Sequence, residues 1–421
     1  MRFTERNTLV DPRRARPGWC LTSLVLATLF WNCAWSADAD PWPEWRGSKR
    51  DGISRETGLL QEWPKEGPKV LWSAPIGEGY SCFSVVDGRL YTMAQEGPKE
   101  TILCFDATTG KEIWKCAYDS EFKCEEGNGP RGTPTVDEDR IYAVGGNNVF
   151  HCVDAKTGEA RWKKDLLAEF NAPNMPWGTS TSPLIDGDLV YVIPGGPEGN
   201  SIAAFDKRTG ELKWKNLDDR AGYSSPLRMD MAGRPIILFF NAVALIGSDP
   251  ATGKELFRYP WETQYRCNIA TPIHFQGKVF ISSGYDQGCA LVRISTKGDE
   301  VSCEQVYRNK EMKNHFSTCV LHEGKLYGFD MAFLTCLDFE TGKQEWKQRG
   351  FGRGSLTLAD GKLIILGENG KLALARPDGT KYDEISSVKA FDGRCWTMPV
   401  VADGRLYLRG PTELVCRSII P

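Results

Sequence analysis

Histidine is scarce in this 421-residue sequence, and its four copies are widely separated. They are His151, His274, His315 and His322, so the chain has no HExxH motif and no two histidines at metal-ligand spacing in one motif. A GxSxG nucleophile elbow is also missing. The sequence therefore carries no motif of a zinc protease or of a serine hydrolase.

Paired cysteines of the kind that bind metals or exchange disulfides are missing too. None of the 14 cysteines is adjacent to another, and none belongs to a CxxC motif, so zinc-binding and thioredoxin-like chemistry have no support. Cys116 and Cys124 flank a short loop, where a local disulfide and two free thiols are both open alternatives. Small buried strand residues are expected at one recurring position, occupied by Cys104, Cys152, Cys336 and Cys416.

Long hydrophobic runs and an excess of positive charge are absent as well. With 52 basic and 55 acidic residues the formal net charge is −3, which argues against nucleic acid as a partner. The apolar run 21–31 is too short to span a bilayer comfortably. It follows a cluster of arginines and precedes small residues, so residues 1–39 predict a secretory signal peptide, with an uncleaved anchor as the alternative. We expect export to the periplasm or cell envelope, and no membrane span after cleavage.

A segment of eleven residues, by contrast, recurs along the chain. Its copies are CFDATTGKEIW (104–114), CVDAKTGEARW (152–162), AFDKRTGELKW (204–214), GSDPATGKELF (247–257) and CLDFETGKQEW (336–346), with a worn copy at 292–302. The Asp and Thr side chains can bond the backbone of the turn, and the Gly supplies the positive φ of a short hairpin. Each copy therefore predicts a β-hairpin that ends on a large aromatic residue.

A second pattern, two short apolar runs around a turn, precedes each hairpin. It occurs eight times, at 84–93, 134–144, 183–193, 226–240, 272–282, 319–329, 355–366 and 399–409. Short strands with a period of ~40–50 residues are typical of propeller blades. The sequence therefore predicts an all-β fold, an eight-bladed β-propeller of four-stranded antiparallel blades.

The domain boundaries follow from the repeat. The last blade has no outer strand of its own, and Trp72 lies in a segment that fits the missing strand, so we expect the N-terminal strand to close the ring. The propeller then spans 69–421, and residues 40–68 form an extended N-terminal arm. Trp42, Trp45 and Trp63 would be costly to leave in water, so the arm is expected on the propeller surface, with a partner-binding arm as the alternative.

The residues just before each innermost strand are expected to ring the mouth of the central channel. Two arginines, a histidine and several aromatic residues converging on one concavity predict a site for a small anionic or aromatic ligand or for an envelope protein. The alternative is that they are ordinary residues at strand starts that pack the channel. These channel-mouth residues are Tyr80, Arg131, Trp177, Tyr223, Asn268, His315, Arg353 and Trp396.

The eleven-residue motif resembles the tryptophan-docking motif of the quinoprotein (PQQ-dependent) alcohol dehydrogenase-like propellers. That family includes BamB-like proteins and PQQ-like repeat proteins of unassigned activity. The arm sequence WPEWRGSKRDGIS is most similar to the segment that precedes the propeller in the proteins of unassigned activity. The resemblance covers 69–421 and implies that the motif aromatics dock between neighbouring blades. That role then falls to Trp72, Trp114, Trp162, Trp214 and Trp346, with Phe257 as a substitute.

Fold and function are separate questions for such repeats. The resemblance implies PQQ with calcium for a dehydrogenase, but the adjacent cysteine pair of those enzymes is absent and the chain has little room for insertions. Our first hypothesis is an exported, non-enzymatic binding or scaffold propeller of the envelope, a monomer without cofactor or metal, with a BamB-like role. The alternatives are a PQQ-dependent alcohol or sugar dehydrogenase and a carbohydrate- or polymer-binding propeller.

Overall fold

The computed structural model describes residues 41–421, and strands dominate it. The predicted signal peptide 1–39 lies outside the described residues. A single four-residue helix, α1 (Leu166–Glu169), occurs in the part described, and Asp165 caps it by accepting a hydrogen bond from the Ala168 amide. No helix within 41–421 is long and apolar enough to cross a membrane.

Eight sheets follow one another along the chain, seven of four strands and one with a fifth strand added, and they confirm the predicted propeller of four-stranded antiparallel blades. Two strands of the N-terminal region, β1 (Ile53–Ser54) and β2 (Val70–Pro75), join the last two sheets. Blade 1 contains β3 (Ser84–Val86), β4 (Arg89–Glu96), β5 (Lys99–Asp106) and β6 (Glu112–Asp119). Blade 2 contains β7 (Thr135–Asp137), β8 (Arg140–Val144), β9 (Val149–Asp154) and β10 (Ala160–Asp165).

The next three blades repeat the same order of strands. Blade 3 contains β11 (Leu184–Asp186), β12 (Leu189–Val192), β13 (Ile202–Asp206) and β14 (Leu212–Asn216). Blade 4 contains β15 (Leu227–Met231), β16 (Arg234–Phe240), β17 (Ala244–Ser248) and β18 (Glu255–Pro260). Blade 5 contains β19 (Ile273–Phe275), β20 (Lys278–Ser283), β21 (Gly288–Lys297) and β22 (Glu300–Asn309).

The last three blades complete the ring. Blade 6 contains β23 (Val320–His322), β24 (Lys325–Asp330), β25 (Phe333–Asp338) and β26 (Gln344–Gln348). Blade 7 contains β27 (Ser355–Ala359), β28 (Lys362–Leu366), β29 (Lys371–Arg376) and β30 (Asp383–Lys389), with β1 added in parallel to β27. Blade 8 contains β31 (Val400–Ala402), β32 (Arg405–Arg409) and β33 (Glu413–Ser418), and β2 supplies its outer strand, as predicted.

The turn of the eleven-residue repeat is built by its own side chains. In blade 1 the Asp106 carboxylate accepts hydrogen bonds from the amides of Thr108 (3.0 Å) and Thr109 (2.7 Å) and from the Thr109 hydroxyl (2.9 Å). Gly110 follows with φ of 70°. Because only glycine takes this conformation without strain, the D-x-x-T-G spacing determines where the chain reverses.

Trp72, Trp114, Trp162 and Trp214 each pack on the turn glycine of the next blade. A Cβ built on Gly158 would lie 2.5 Å from the Trp114 ring, so the ring occupies the space of a side chain. The Trp114 indole also donates to the carbonyl oxygen of Ala155 in the same turn, at 3.1 Å. The same bond joins Trp72 to Ala107 (3.0 Å), Trp214 to Pro250 (2.9 Å) and Trp346 to Asp378 (2.8 Å).

Two expected docking positions depart from this pattern. The Trp162 ring covers Gly210, but within 41–421 its indole nitrogen has no hydrogen-bond partner. Phe257 packs into the apolar cluster of blades 4 and 5, yet its ring lies against Gly247 of its own blade. Phe257 is therefore not a full substitute, because a phenyl ring carries no donor for a carbonyl of the neighbouring turn.

Blade 5 docks through Tyr307, a residue that the repeat did not predict. Its ring lies over Gly342 of blade 6, and its hydroxyl donates to the Phe339 carbonyl at 3.1 Å. The last hairpin of blade 5 has strands of ten residues, which moves the aromatic away from the usual spacing after Gly298. The docking residue of a blade is therefore identified by an aromatic residue in the outer strand, rather than by a fixed distance from the turn glycine.

The cysteines of the described chain are all unpaired, so the disulfide considered for Cys116 and Cys124 is not formed. Cys124 instead donates to the Gly127 carbonyl at 3.2 Å and lies 3.0 Å from the Arg131 guanidinium. At the recurring repeat position, Cys104 is fully buried opposite Trp114 across the strand pair. A small residue there leaves room for the indole, and the same holds for Cys152, Cys336 and Cys416.

One part of the arm lies on the propeller surface, as predicted, and the other part enters the ring. Residues 42–52, which we call the plug, contact the innermost strands and the residues next to them, and so lie on the axis of the ring. Beyond β1, the arm passes over the hairpin-turn face of blades 7 and 8, where the Leu60 amide bonds the Ile419 carbonyl at 2.7 Å. Trp63 is 4% exposed there and Trp42 is 1% exposed in the plug, whereas Trp45 stays partly exposed.

Candidate functional site

The central channel holds a cavity of about 410 Å³. The plug residue Trp45 borders it, and it opens at the end of the channel where the chain enters the innermost strands. The segments that lead into the innermost strands supply most of its wall. Seven of the eight expected channel-mouth residues lie there: Tyr80, Arg131, Trp177, Tyr223, His315, Arg353 and Trp396. The structure therefore brings these seven to one concave surface.

Asn268 is the exception, because it is fully buried and faces away from the cavity. Its amide nitrogen donates to the carbonyl oxygens of Asn241 (2.7 Å) and Trp261 (3.1 Å), and Ser283 donates to its amide oxygen at 2.8 Å. Successive side chains of an extended segment point to opposite sides, so the neighbours of Asn268 line the cavity while Asn268 does not. Its expected place at the mouth was wrong, and its bonds are structural.

Aromatic rings form an almost continuous collar around the cavity. Neighbouring ring centroids along it lie 4.8–6.1 Å apart. This aromatic collar consists, in order, of Tyr80, Trp396, Phe316, His315, Tyr285, Tyr265, Trp177 and Tyr223. Phe316, Tyr285 and Tyr265 were missed, because the first adjoins the residue chosen in its blade and the others lie in loops without a repeat position. Such rings offer flat apolar surfaces for stacking.

Arg131 lies beside the collar next to Tyr80, but its guanidinium is already bound by neighbouring groups of the protein. Its guanidinium donates to the carbonyl oxygens of Gly129 and Gly127 and lies 4.7 Å from the centre of the Phe122 ring. Burial lowers the pKa of this guanidinium from its usual value. Arg131 therefore fixes the loop that precedes blade 2 and has few donors left for a ligand.

Arg353 presents the cation that remains available. Its backbone amide donates to Glu368 at 3.1 Å, whereas its guanidinium makes no hydrogen bond or ion pair within the part of the chain that the structure describes. The other carboxylate oxygen of Glu368 accepts the Trp396 indole at 2.9 Å, which holds these two cavity residues side by side. A partly buried, unpaired guanidinium next to aromatic rings has the charge and the free donors that suit an anion.

His315 is neutral at physiological pH. Burial, and then the positive charge of Arg353, lower the pKa of its imidazole to about 4. Its Nδ1 is buried without a hydrogen-bond partner in the described chain. Glu126, the carboxylate on the cavity wall, lies 3.2 Å from Arg394 at the exposed rim.

Calcium-bound PQQ, which the resemblance implies for a dehydrogenase, does not match these groups. Calcium takes six to eight oxygen ligands, several of them carboxylates. Glu126 is the one carboxylate among the lining residues of the described chain, and it is already paired. Nor does the described region hold a group of three or more histidines, cysteines or acidic residues that fits a metal.

A closed ring of eight blades with aromatic docking on turn glycines defines an eight-bladed propeller of the PQQ-like repeat class. The family model described as outer membrane protein assembly factor BamB matches residues 98–348, more than half of the chain. The chain belongs to this family.

Known relatives carry different names. Tetrathionate hydrolase of Acidithiobacillus ferrooxidans is 27% identical over 52% of this chain and 44% of its own length. Outer membrane protein assembly factor BamB of Burkholderia pseudomallei is 26% identical over 51% of each chain. The chain thus spans about half the length of these relatives. A solved structure, quinohemoprotein alcohol dehydrogenase ADHIIG from Pseudomonas putida HK5, has a TM-score of 0.64 at 12% identity, covers 90% of this chain and 80% of its own, and supports the fold alone.

Proposed function

We propose that this chain is a non-catalytic binding propeller of the cell envelope, and that its cavity binds a small molecule with a flat apolar body and an anionic group. The observation that carries the proposal is the Arg353 guanidinium, which has no partner within 41–421 and lies in a wall of aromatic rings. The cavity of about 410 Å³ lies within the range of small-molecule sites.

The chemistry of the wall favours binding over catalysis. A general base needs a pKa near the working pH, but the imidazole of His315 has a pKa of about 4. Glu126 is held by Arg394 at the rim. Stacking on the collar and a charge-assisted bond to Arg353 are interactions that hold a ligand without changing it.

The family supports the envelope as the location and an envelope protein as a second partner. The matching model and the Burkholderia relative are both named for outer membrane protein assembly. The name of the Acidithiobacillus relative refers to tetrathionate, an anion, which agrees in charge with Arg353. A dehydrogenase role is weaker because the donor set does not fit calcium, and a neutral carbohydrate would leave the Arg353 charge unused.

Binding of naphthalene-2-sulfonate is the direct test of the cavity. We expect saturable binding by calorimetry, and about 10- to 100-fold weaker binding by Arg353→Gln, because a hydrogen bond to a charged group contributes about 1.5–3 kcal/mol. Arg349→Gln is the matched control, since Arg349 is exposed, lies over the Phe333 ring and does not line the cavity. It should change the affinity less than about 3-fold.

The neutral analogue 2-naphthol separates stacking from charge and should bind wild type and Arg353→Gln equally. PQQ, with and without calcium, belongs in the same titration. No binding of the sulfonate by the wild type, or binding that Arg353→Gln leaves unchanged, contradicts the proposal. Calcium-dependent binding of PQQ with turnover of an alcohol would instead favour the dehydrogenase.

The affinity for the sulfonate is expected to rise as the pH falls from 6 towards 4. A bound anion stabilises the protonated imidazole of His315, so its pKa of about 4 rises in the complex, and proton uptake and anion binding strengthen each other. We expect about a 5- to 10-fold gain that His315→Asn abolishes. Glu126, Glu368, Arg353 and Tyr285, which surround the imidazole, are common to both proteins, so the difference reports on His315. Equal pH profiles would contradict this linkage.

A further inference from the structure

The plug gives the propeller axis a floor. Trp42 pairs with Val85 of blade 1 through two backbone hydrogen bonds of 2.9 and 2.7 Å. The Pro43 carbonyl accepts the Val136 amide of blade 2 at 2.8 Å, and the Gly52 carbonyl accepts the Leu358 amide of blade 7 at 3.0 Å. The innermost strands are sheet edges with free backbone groups, and the plug satisfies several of them.

Two buried arginines anchor the plug to further blades. Arg46 donates at 2.7 Å to the Cys319 carbonyl of blade 6 and at 2.7 Å to that of Asp51 within the plug. Arg50 donates at 2.9 Å to the Pro226 carbonyl beside blade 4 and pairs with Glu44 at 2.6 Å. Both guanidiniums are at most 3% exposed, so the plug is a fixed part of the ring.

Trp45 precedes Arg46 in the plug, but its side chain faces the cavity. Its indole nitrogen donates to the Thr271 hydroxyl beside blade 5 at 3.0 Å, and its side chain lines the cavity together with residues of the mouth. Trp45 is partly exposed although its plug neighbours Trp42 and Arg46 are 1–2% exposed. The one open indole of the plug is therefore the one that borders the cavity.

We propose that Trp45 is the floor of the ligand site and sets the size of the ring system that the cavity accepts. This inference rests on the proposed function, because it assigns a role to an arm residue within the same site. The ligand stacks within the collar with its anionic group at Arg353, and its apolar end meets the Trp45 indole. A side chain from outside the eight repeats thereby determines the depth of a cavity that the repeats surround.

A comparison of two aromatic sulfonates of different size tests this role. Trp45→Ala should bind naphthalene-2-sulfonate at least 10-fold more weakly than the wild type, because the floor recedes from the ligand. The larger pyrene-1-sulfonate should keep its affinity or gain some, so the ratio of the two affinities shifts at least 10-fold. Trp45→Phe should restore most of the wild-type preference.

Trp63→Ala is the matched control, since Trp63 belongs to the same arm but packs against blades 7 and 8. It should leave both affinities unchanged, and circular dichroism checks that every variant is folded. Unchanged selectivity in Trp45→Ala, with the wild type binding normally, would overturn the floor role and leave the proposed function intact. Equal losses in Trp45→Ala and Trp63→Ala would overturn it too, because the effect would then come from loosening the arm. Failure of the wild type to bind either sulfonate would overturn the proposed function as well.

Discussion

Trp114→Ala is expected to lower the free energy of unfolding by about 3–5 kcal/mol, as large-to-small changes of buried tryptophans do. Trp114 is 8% exposed and fills the space over Gly158 of the next blade. Its removal leaves a cavity between two blades and strips the Ala155 carbonyl of its indole donor. Urea unfolding followed by circular dichroism measures the loss, and a loss below about 1 kcal/mol would contradict the docking role.

Two companion variants separate packing from hydrogen bonding. Ile113→Ala, at the adjacent position on the same strand, is the control, because Ile113 is 43% exposed and its loss should be below about 1 kcal/mol. Trp162→Ala should be destabilising by about 1 kcal/mol less than Trp114→Ala, because the Trp162 indole has no hydrogen-bond partner in the described chain. Equal losses at the two tryptophans would mean that packing alone accounts for the docking.

Arg46→Met is expected to lower the free energy of unfolding by about 3–5 kcal/mol, although methionine is apolar and similar in length. The guanidinium of Arg46 is 2% exposed and donates to the carbonyl oxygens of Arg50, Asp51, Thr318 and Cys319. A thioether cannot donate to these oxygens, and each buried acceptor left without a partner is costly. Burial lowers the pKa of Arg46 to about 10, so the side chain stays charged at neutral pH.

Lys49→Met in the same turn is the control, since Lys49 is exposed and its replacement should change stability by less than about 0.5 kcal/mol. Chymotrypsin cleavage within the plug should accelerate in Arg46→Met and not in Lys49→Met. If Arg46→Met keeps wild-type stability and protease resistance, the plug is not held by its guanidinium.

The ring itself was predictable because its signal is repeated and local. The D-x-x-T-G turn depends on side chains within five residues of one another, so every copy reports the same hairpin. Closure through Trp72 followed from counting strands, and the pairing of β2 with β33 confirms it. Tyr307 was not predicted, because the longer hairpin of blade 5 changes the spacing between the turn glycine and the aromatic residue. Its contact with the next blade is nevertheless kept.

The site was predictable only as far as the position of a residue in its blade determines where its side chain points. Seven mouth residues were identified by their position before the innermost strands, whereas Asn268 was misplaced because a shift of one residue reverses the side chain. The path of the plug was beyond the sequence pattern. Arg46 and Arg50 bind backbone carbonyls, which every residue type offers, so nothing in the sequence identifies their partners.

The pairing of β2 with β33 has a consequence for biosynthesis. Val70 lies opposite Arg417, so the outer strand of blade 8 leaves the ribosome before blades 1–7 and meets its partner only after all of them have been made. Such distant contacts form slowly, because the intervening chain must first be ordered. The nascent protein therefore carries an unpaired strand and an undocked Trp72 while those blades are made, and closing the ring is the step at which a factor that binds unfolded chains has most effect.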